Sequence, residues 1–486
     1  MPRRRSVDRR TFLRAASASA AWVAQGASAA EPERTVMPQD QPRPNLVFVF
    51  ADQMRAQATG YAGDPNVQTP NLDRLARESV NFTHTVSGCP VCSPYRASLL
   101  TGQYPLTHGV FLNDLCLRDE AVSIAEALGE AGYDTAYIGK WHLDGHGRSN
   151  FIPRERRQGF DFWKVLECTH DYNNSHYYGD TNEKLTWEGY DAIAQTREAQ
   201  RYLEGRRGDK PFVLFLSWGP PHNPYQTAPE EYKRLYRAED LVLRPNVPAD
   251  HEASARRDLA GYYAHISAMD ACIGDLLGTL RERGLEEDTI FVFTSDHGDM
   301  LGSQGQMRKQ RPWDESILVP FLLRYPGALG REARRCDLLV SSPDVMPTLL
   351  GLCGTPIPET VEGKDFSGYL LGGERPDVPA ALISCYAPFG EWVRAGGGKE
   401  YRGVRTHRYT YVRDLEGPWL LYENEKDPYQ LENLCGRPEL ADVQEELERQ
   451  LERLLREQRD EFSRGEEYVR KWGYEVDESG TVPYTS

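Results

Sequence analysis

The sequence predicts an α/β fold: a large, mainly parallel sheet flanked by helices, followed by a smaller C-terminal α+β subdomain with a short antiparallel sheet and a helix. Three observations carry this expectation. The near-continuous apolar runs "NLVFVFA" (45–51), "DTAYIGK" (134–140), "PFVLFLSW" (211–218) and "TIFVFTS" (289–295) suit strands covered on both faces. Helical patterns separate them: "TPNLDRLARES" (69–79), "AVSIAEALGEAG" (121–132) and a long amphipathic stretch over 254–284. Beyond about residue 375 the character changes. "YRGVRTHRYTYVRD" (401–414) and "PWLLYENEKDPYQLENL" (418–434) read as antiparallel strands and a turn, and 439–462 as a strongly charged helix.

The residues just past each strand matter more than the strands. The first run leads into Asp52 and Gln53, the second into Lys140, Trp141 and His142, the third into Pro220, Pro221 and His222, and the fourth into Asp296, His297 and Gly298. Ligands of open α/β sheets bind outside the carboxyl ends of the strands, so these polar groups should converge on one crevice.

Composition narrows the function. The formal charge is −16, which argues against nucleic acid or an anionic membrane surface as the main partner. An anionic substrate would need a local cationic pocket. The first thirty residues differ, with six arginines against one acid, Asp8. The twin arginines in "DRRTFLRAA", a mild apolar run and "ASA" at 27–29 read as a twin-arginine export signal over 1–30, implying a twin-arginine translocase and a periplasmic or extracellular location. A linker (31–43), a catalytic domain (44–375) and the C-terminal subdomain (376–486) follow. No later stretch approaches the roughly 20 apolar residues that span a bilayer, so stable membrane insertion is not expected.

"CPVCSPYRASLLTG" (89–102) admits three readings: a redox dithiol, half of a zinc site, or a cysteine serving as raw material for another nucleophile. No second C-x-x-C exists to complete a zinc site, and nothing around it supplies a thioredoxin-like unit. The third reading has support elsewhere in the chain. Cys92-Ser93-Pro94-Tyr95-Arg96, followed by Thr101-Gly102, resembles the C-x-P-x-R…T-G signature of the formylglycine-dependent sulfatases of the alkaline-phosphatase-like superfamily. "GYDTAYIGKWH" (132–142) is similar to that family's second signature, and "SDHGDMLGSQG" lies downstream.

The resemblance implies hydrolysis of sulfate esters through a formylglycine derived from Cys92, which requires a formylglycine-generating or radical-type maturation enzyme as partner. It implies that Arg96 braces the nucleophile, Lys140 and Lys309 hold sulfate oxygens, His222 protonates the leaving oxygen and His142 accepts a proton when sulfate is expelled. Asp52, Gln53, Asp296 and His297, together with the Cys92 position, suit one divalent cation. The family's usual set is three Asp and one Asn. The Gln53 and His297 variant resembles the branch holding choline sulfatase-like enzymes and phosphonate monoester hydrolases. Ca²⁺ is the expected ion, with Mn²⁺ and Mg²⁺ as alternatives. A sulfated carbohydrate is the expected substrate, and phosphonate monoester or phosphodiester hydrolysis in the same pocket is the alternative. Trp313, Asp314, Arg405 and His407 are weaker candidates for the leaving-group side, and "CTHDYNNSHYYGD" (168–180) reads equally as a turn-rich loop or a sugar-binding one. Cys89 is a buried small residue or a disulfide partner.

Overall fold

The computed structural model describes residues 43–208 and 210–484; the segment read as the export signal, and the linker up to residue 42, lie outside them. The first four strands are β1 (Asn45–Asp52), β2 (Val80–Val86), β3 (Asp134–Lys140) and β4 (Phe162–Leu166), followed by a two-stranded ribbon of β5 (His176–Tyr177) and β6 (Leu185–Thr186). Then come β7 (Phe212–Pro221), β8 (Thr289–Ser295), β9 (Leu318–Val319), β10 (Phe321–Arg324) and β11 (Arg334–Ser341). The nine-stranded sheet runs in the order β11-β2-β10-β8-β1-β7-β3-β4, with β9 against β2. Its neighbours pair in parallel, except that β10 runs antiparallel to β2 and β8, and β9 antiparallel to β2. The expected mainly parallel α/β architecture is the one that forms.

Strand alternation builds two cores. Leu46, Phe48 and Phe50 of β1 join the core that includes the helices Cys92–Thr101 and Ser342–Leu352, whereas Val47, Val49 and Ala51 join the one with Asp191–Gly205 and Glu252–Glu282. Every residue of β1, β7 and β8 is buried, which explains why these segments read as unbroken apolar runs.

A second, antiparallel sheet follows: β12 (Ala381–Cys385), β13 (Tyr401–Arg405), β14 (Tyr409–Asp414) and β15 (Gly417–Glu423) in sequential order. Leu447, Leu451 and Leu455, four apart on the helix Ala441–Glu457, cover one face of it, against Leu382, Val404, Tyr411 and Leu421. Ile383, Tyr401 and Val412 face the other way and pack with Val86, Ile317 and Leu339 of the large sheet and its loops.

Candidate active site

The carboxyl ends of β1, β3, β7 and β8 bring the strand-end residues together, with β2 delivering the chain to Cys92. Cys92 is the first residue of the helix Cys92–Thr101, whose N-cap, Val91, offers no capping side chain. The positive end of the helix dipole is therefore directed at the nucleophile position. The helix closes at Gly102, which adopts φ 66°. A side chain there would meet Val361 at 2.8 Å, so the Thr-Gly of the motif ends the helix where only glycine fits.

Around Cys92 Sγ lie His297 Nε2 at 3.2 Å, Lys309 Nζ at 3.2 Å and Asp52 Oδ1 at 3.5 Å. Lys140 Nζ donates to Asp52 Oδ2 at 2.6 Å. Arg96 makes four bonds: Nη2 reaches Asp52 Oδ2 at 3.2 Å and Asp296 Oδ2 at 3.1 Å, and Nη1 reaches Ser217 Oγ at 2.7 Å and the Lys140 carbonyl at 3.0 Å. Burial opposes ionisation of the Cys92 thiol, and so does Asp52; Lys140, Lys309 and His297 outweigh both and hold its pKa well below the ordinary value. Burial likewise opposes the Asp52 carboxylate, but Lys140, His222 and Arg96 hold it well below the usual carboxylate range. Asp296 is pushed up, by burial and then by the charge of Asp52.

The donor set fits a divalent cation. Ligand atoms of Asp52, Cys92, Asp296 and His297 all lie within 4.8 Å of one another. His297 Nδ1 donates to the Gly298 carbonyl at 2.9 Å, so Nε2 is the ring nitrogen that faces the cluster and would ligate a cation. Gln53 Oε1 is buried with no hydrogen-bond partner, an oxygen that a cation would satisfy. Gln53 and His142 hold positive φ values, 71° and 61°, of the kind retained where function over-determines the backbone.

His222 lies past β7, under the ring of His170, with centroids 4.6 Å apart. Its Nδ1 donates to the Asn223 carbonyl at 2.9 Å, and its Nε2 accepts from Lys309 Nζ at 2.7 Å. In this arrangement the proton facing the nucleophile is carried by Lys309, while burial and then Lys309 depress the pKa of His222. The 168–180 segment buttresses this loop: Tyr172 donates to the carbonyls of Gly219 and Asn223, and Asn173 to that of Thr227.

His142 is tied to the nucleophile helix through its carbonyl, which accepts from Ser93 Oγ at 2.7 Å. Its Nε2 lies 3.2 Å from Asp114 Oδ1, and Nδ1 is buried without a partner. Arg148 grips the same Asp114 through two bonds of 2.7 Å. Burial disfavours the imidazolium, but the Cys168 sulfur and Asp114 raise the His142 pKa to about 9. The sign follows: relative to the ordinary 6.5, this group contributes stability that is fully present below about pH 6.5 and is lost as pH rises through about 9. In urea unfolding of the cation-free protein we expect about 3 kcal/mol to disappear across that window. Asp114→Asn flattens that pH dependence, and an unchanged slope in the variant would refute the pairing.

The weaker candidates belong to a seam between the two sheets. Arg405 makes two 3.0 Å bonds to Asp314, Trp313 donates to Tyr422 Oη at 3.2 Å, and His407 packs edge-on against His84 and contacts the Asp337 carbonyl. Trp313 and Asp314 make these contacts with residues of the C-terminal sheet, whereas those of His407 run back to β2 and β11 of the large one. Cys89 is buried in the core with Tyr95 and Tyr386, its thiol pushed up to about 12 by burial, and stands as a free cysteine with no disulfide to Cys92. Sequence reasoning missed Asp114, His170, Ser217, Tyr225 and Asp299. Two of them carried a signal, Asp299 through its place in "SDHGDMLG" and His170 within the 168–180 segment.

Residues 44–355 match the family model described as Sulfatase, and residues 302–458 match one described as N-sulphoglucosamine sulphohydrolase, C-terminal. The chain is 48% identical over 448 residues to the ulvan-active sulfatase of Formosa agariphila, covering 91% of this chain and 87% of that one. It is 34% identical over 476 residues to an endo-4-O-sulfatase of Bacteroides thetaiotaomicron, covering 85% and 92%. A solved Bacteroides thetaiotaomicron structure, described within the metabolism of multiple glycosaminoglycans, superposes with a TM-score of 0.80 at 32% identity, covering 91% of this chain and all of that one. The phosphonate monoester hydrolase of Agrobacterium radiobacter reaches 0.70 at 24% identity, with 91% and 100% covered, a likeness of fold. With the family model spanning most of the chain and a relative of such identity along nearly its whole length, the protein belongs to the sulfatase family and is a sulfuric ester hydrolase.

Proposed function

We propose that the pocket around Cys92 removes sulfate from a sulfated carbohydrate, with Cys92 converted to formylglycine as the nucleophile and a divalent cation held by Asp52, Gln53, Asp296 and His297. The observation carrying this reading is the convergence of Lys309, His297 and Asp52 on Cys92, at 3.2, 3.2 and 3.5 Å. When bound, the cation supplies positive charge that draws a sulfate oxygen into place and favours the anionic form of the nucleophile. Ca²⁺ is the proposed ion; the His297 imidazole keeps Mn²⁺ as the comparison.

The chain's own groups divide the remaining work. Arg96, locked by four hydrogen bonds, braces the nucleophile position and neutralises Asp52 and Asp296. Lys140 and Lys309 present ammonium groups to the sulfate oxygens, where charge builds as the ester bond breaks. Lys309 Nζ moves its proton to the leaving oxygen and regains one from solvent, while His222 Nε2, which accepts a hydrogen bond from that ammonium, holds it in place, so the pair does the work expected of His222 alone. His142, oriented through Nε2 by Asp114, takes at Nδ1 the proton given up as sulfate departs when its ring is neutral, a form that its pKa of about 9 favours toward alkaline pH.

The Formosa agariphila relative makes ulvan the first polymer to test, with 4-O-sulfated glycosaminoglycan oligosaccharides next, after the Bacteroides relative. The N-terminal thirty residues are proposed to direct export by the twin-arginine route, and the boundary between catalytic domain and C-terminal subdomain is placed at 375/376. A peptide mass spectrum spanning Cys92, on protein made with a formylglycine-generating partner, is expected to carry the aldehyde. The same preparation should release inorganic sulfate from sulfated oligosaccharides in preference to cleaving an aryl phosphonate. Unmodified cysteine in active protein, or preferred phosphonate cleavage, would overturn the reading.

A further inference from the structure

We infer that Asp299 is the positioning residue that turns the amide of Gln53 so that its oxygen, rather than its nitrogen, is offered to the cation. This rests on the cation site proposed above. Gln53 Nε2 donates to Asp299 Oδ2 at 2.7 Å, and the same oxygen accepts from the Tyr225 hydroxyl. The other oxygen, Oδ1, accepts from the backbone N–H of Leu301 at 3.1 Å and of Arg308 at 2.9 Å. Asp299 is fully buried, and four donors hold it as an acceptor at both oxygens.

An amide side chain has two orientations, related by exchange of O and N. Facing a carboxylate that only accepts, one of them is forbidden, because oxygen would meet oxygen. Gln53 must therefore direct Nε2 at Asp299, and Oε1 takes the opposite side, on a residue flanked by Asp52 and bonded through its own N–H to Asp296 Oδ1 at 2.9 Å. That oxygen is the one left buried without a partner. A neutral amide can thus stand among ligands as a dependable oxygen donor, since the carboxylate behind it permits no other presentation.

Asp299 also anchors the loop that leads to Lys309, so the test must separate amide orientation from loop anchoring. Asp299→Asn does so. Its carbonyl oxygen is retained by Leu301 N–H and Arg308 N–H, which places the new NH₂ group against Gln53 and forces that amide to reverse. Calorimetric titration of chelator-stripped protein with Ca²⁺ alone is expected to show Asp299→Asn binding about 10- to 100-fold more weakly than wild type, while its metal-free thermal midpoint stays close to wild type. In the double variant Asp299→Asn/Gln53→Glu, one oxygen of the carboxylate introduced at position 53 accepts from the amide introduced at position 299. The other oxygen faces the cation, and most of the lost affinity returns. A loop anchor would not be rescued by a change at position 53. Equal Ca²⁺ affinity in Asp299→Asn and wild type overturns the inference while leaving the cation site standing. Wild type that fails to bind overturns the cation site itself. Should Asp299→Asn not fold, the double variant decides: folded and binding near wild type supports the inference, and weak binding or misfolding overturns it.

Discussion

Replacing Cys92 with alanine in protein made with the maturation partner is expected to lower the rate of sulfate release by about 10⁵- to 10⁶-fold, the scale of losing a nucleophile from a preassembled site. The residue touches Lys309, His297 and Asp52 at once, so three of the pocket's charged groups are arranged about the atom that the substitution deletes. The cationic groups survive in the variant. Sulfate and sulfated oligosaccharides should therefore still bind, and the loss should appear in kcat with little change in affinity. Measured turnover within about 100-fold of wild type, too small a loss for a nucleophile, would mean that another group attacks the ester.

Arg96→Ala is expected to destabilise the cation-free protein by about 3–5 kcal/mol, the cost of leaving buried charges without their partner. Asp52 would keep Lys140, whereas Asp296 would keep the backbone N–H groups of Gln53 and His297 and, for a cationic partner, the His297 ring 3.6 Å away, itself near Asp52 at the same centre. The Ser217 hydroxyl and the Lys140 carbonyl would each lose their Arg96 donor too. Lysine is no remedy, because one ammonium cannot span two carboxylates, a hydroxyl and a carbonyl as the planar guanidinium does. Denaturant unfolding in the presence of chelator reads the effect directly. Added Ca²⁺ should recover part of the loss by partnering Asp296. A loss below about 1 kcal/mol would place the two carboxylates in the range of solvated surface pairs and contradict their burial.

Much of this site is legible along the chain. The apolar runs located β1, β3, β7 and β8, and the residues beyond them, Asp52, Lys140, His222 and Asp296, lie where those strands end. These strands were readable because both of their faces are covered, which leaves no polar alternation to blur them. β2, β10, β11 and β12 escaped notice. β2 mixes buried and half-buried positions, β11 opens with half-exposed and exposed arginines, and β10 and β12 are only four and five residues long. The helix boundaries shifted inward where caps decide them: Ser123 and Glu126 form a capping box that starts the helix at Ile124, three residues after the apolar pattern begins.

By itself the sequence determined the α/β class, the strand-end residues and the Cys92 motif, because each is written in local order: a period of two or 3.6, or a run of adjacent residue types. Tertiary structure alone decided which side chains meet. Lys309 contacts Cys92 across 217 positions and His222 across 87, Asp114 orients His142, and Asp299 faces Gln53 from 246 positions away. It also assigned Arg405 and Trp313 to the seam between the sheets. Such contacts depend on how loops close over the ends of a folded sheet and on which buried polar atoms must find a partner there, and neither leaves a periodic trace in the chain.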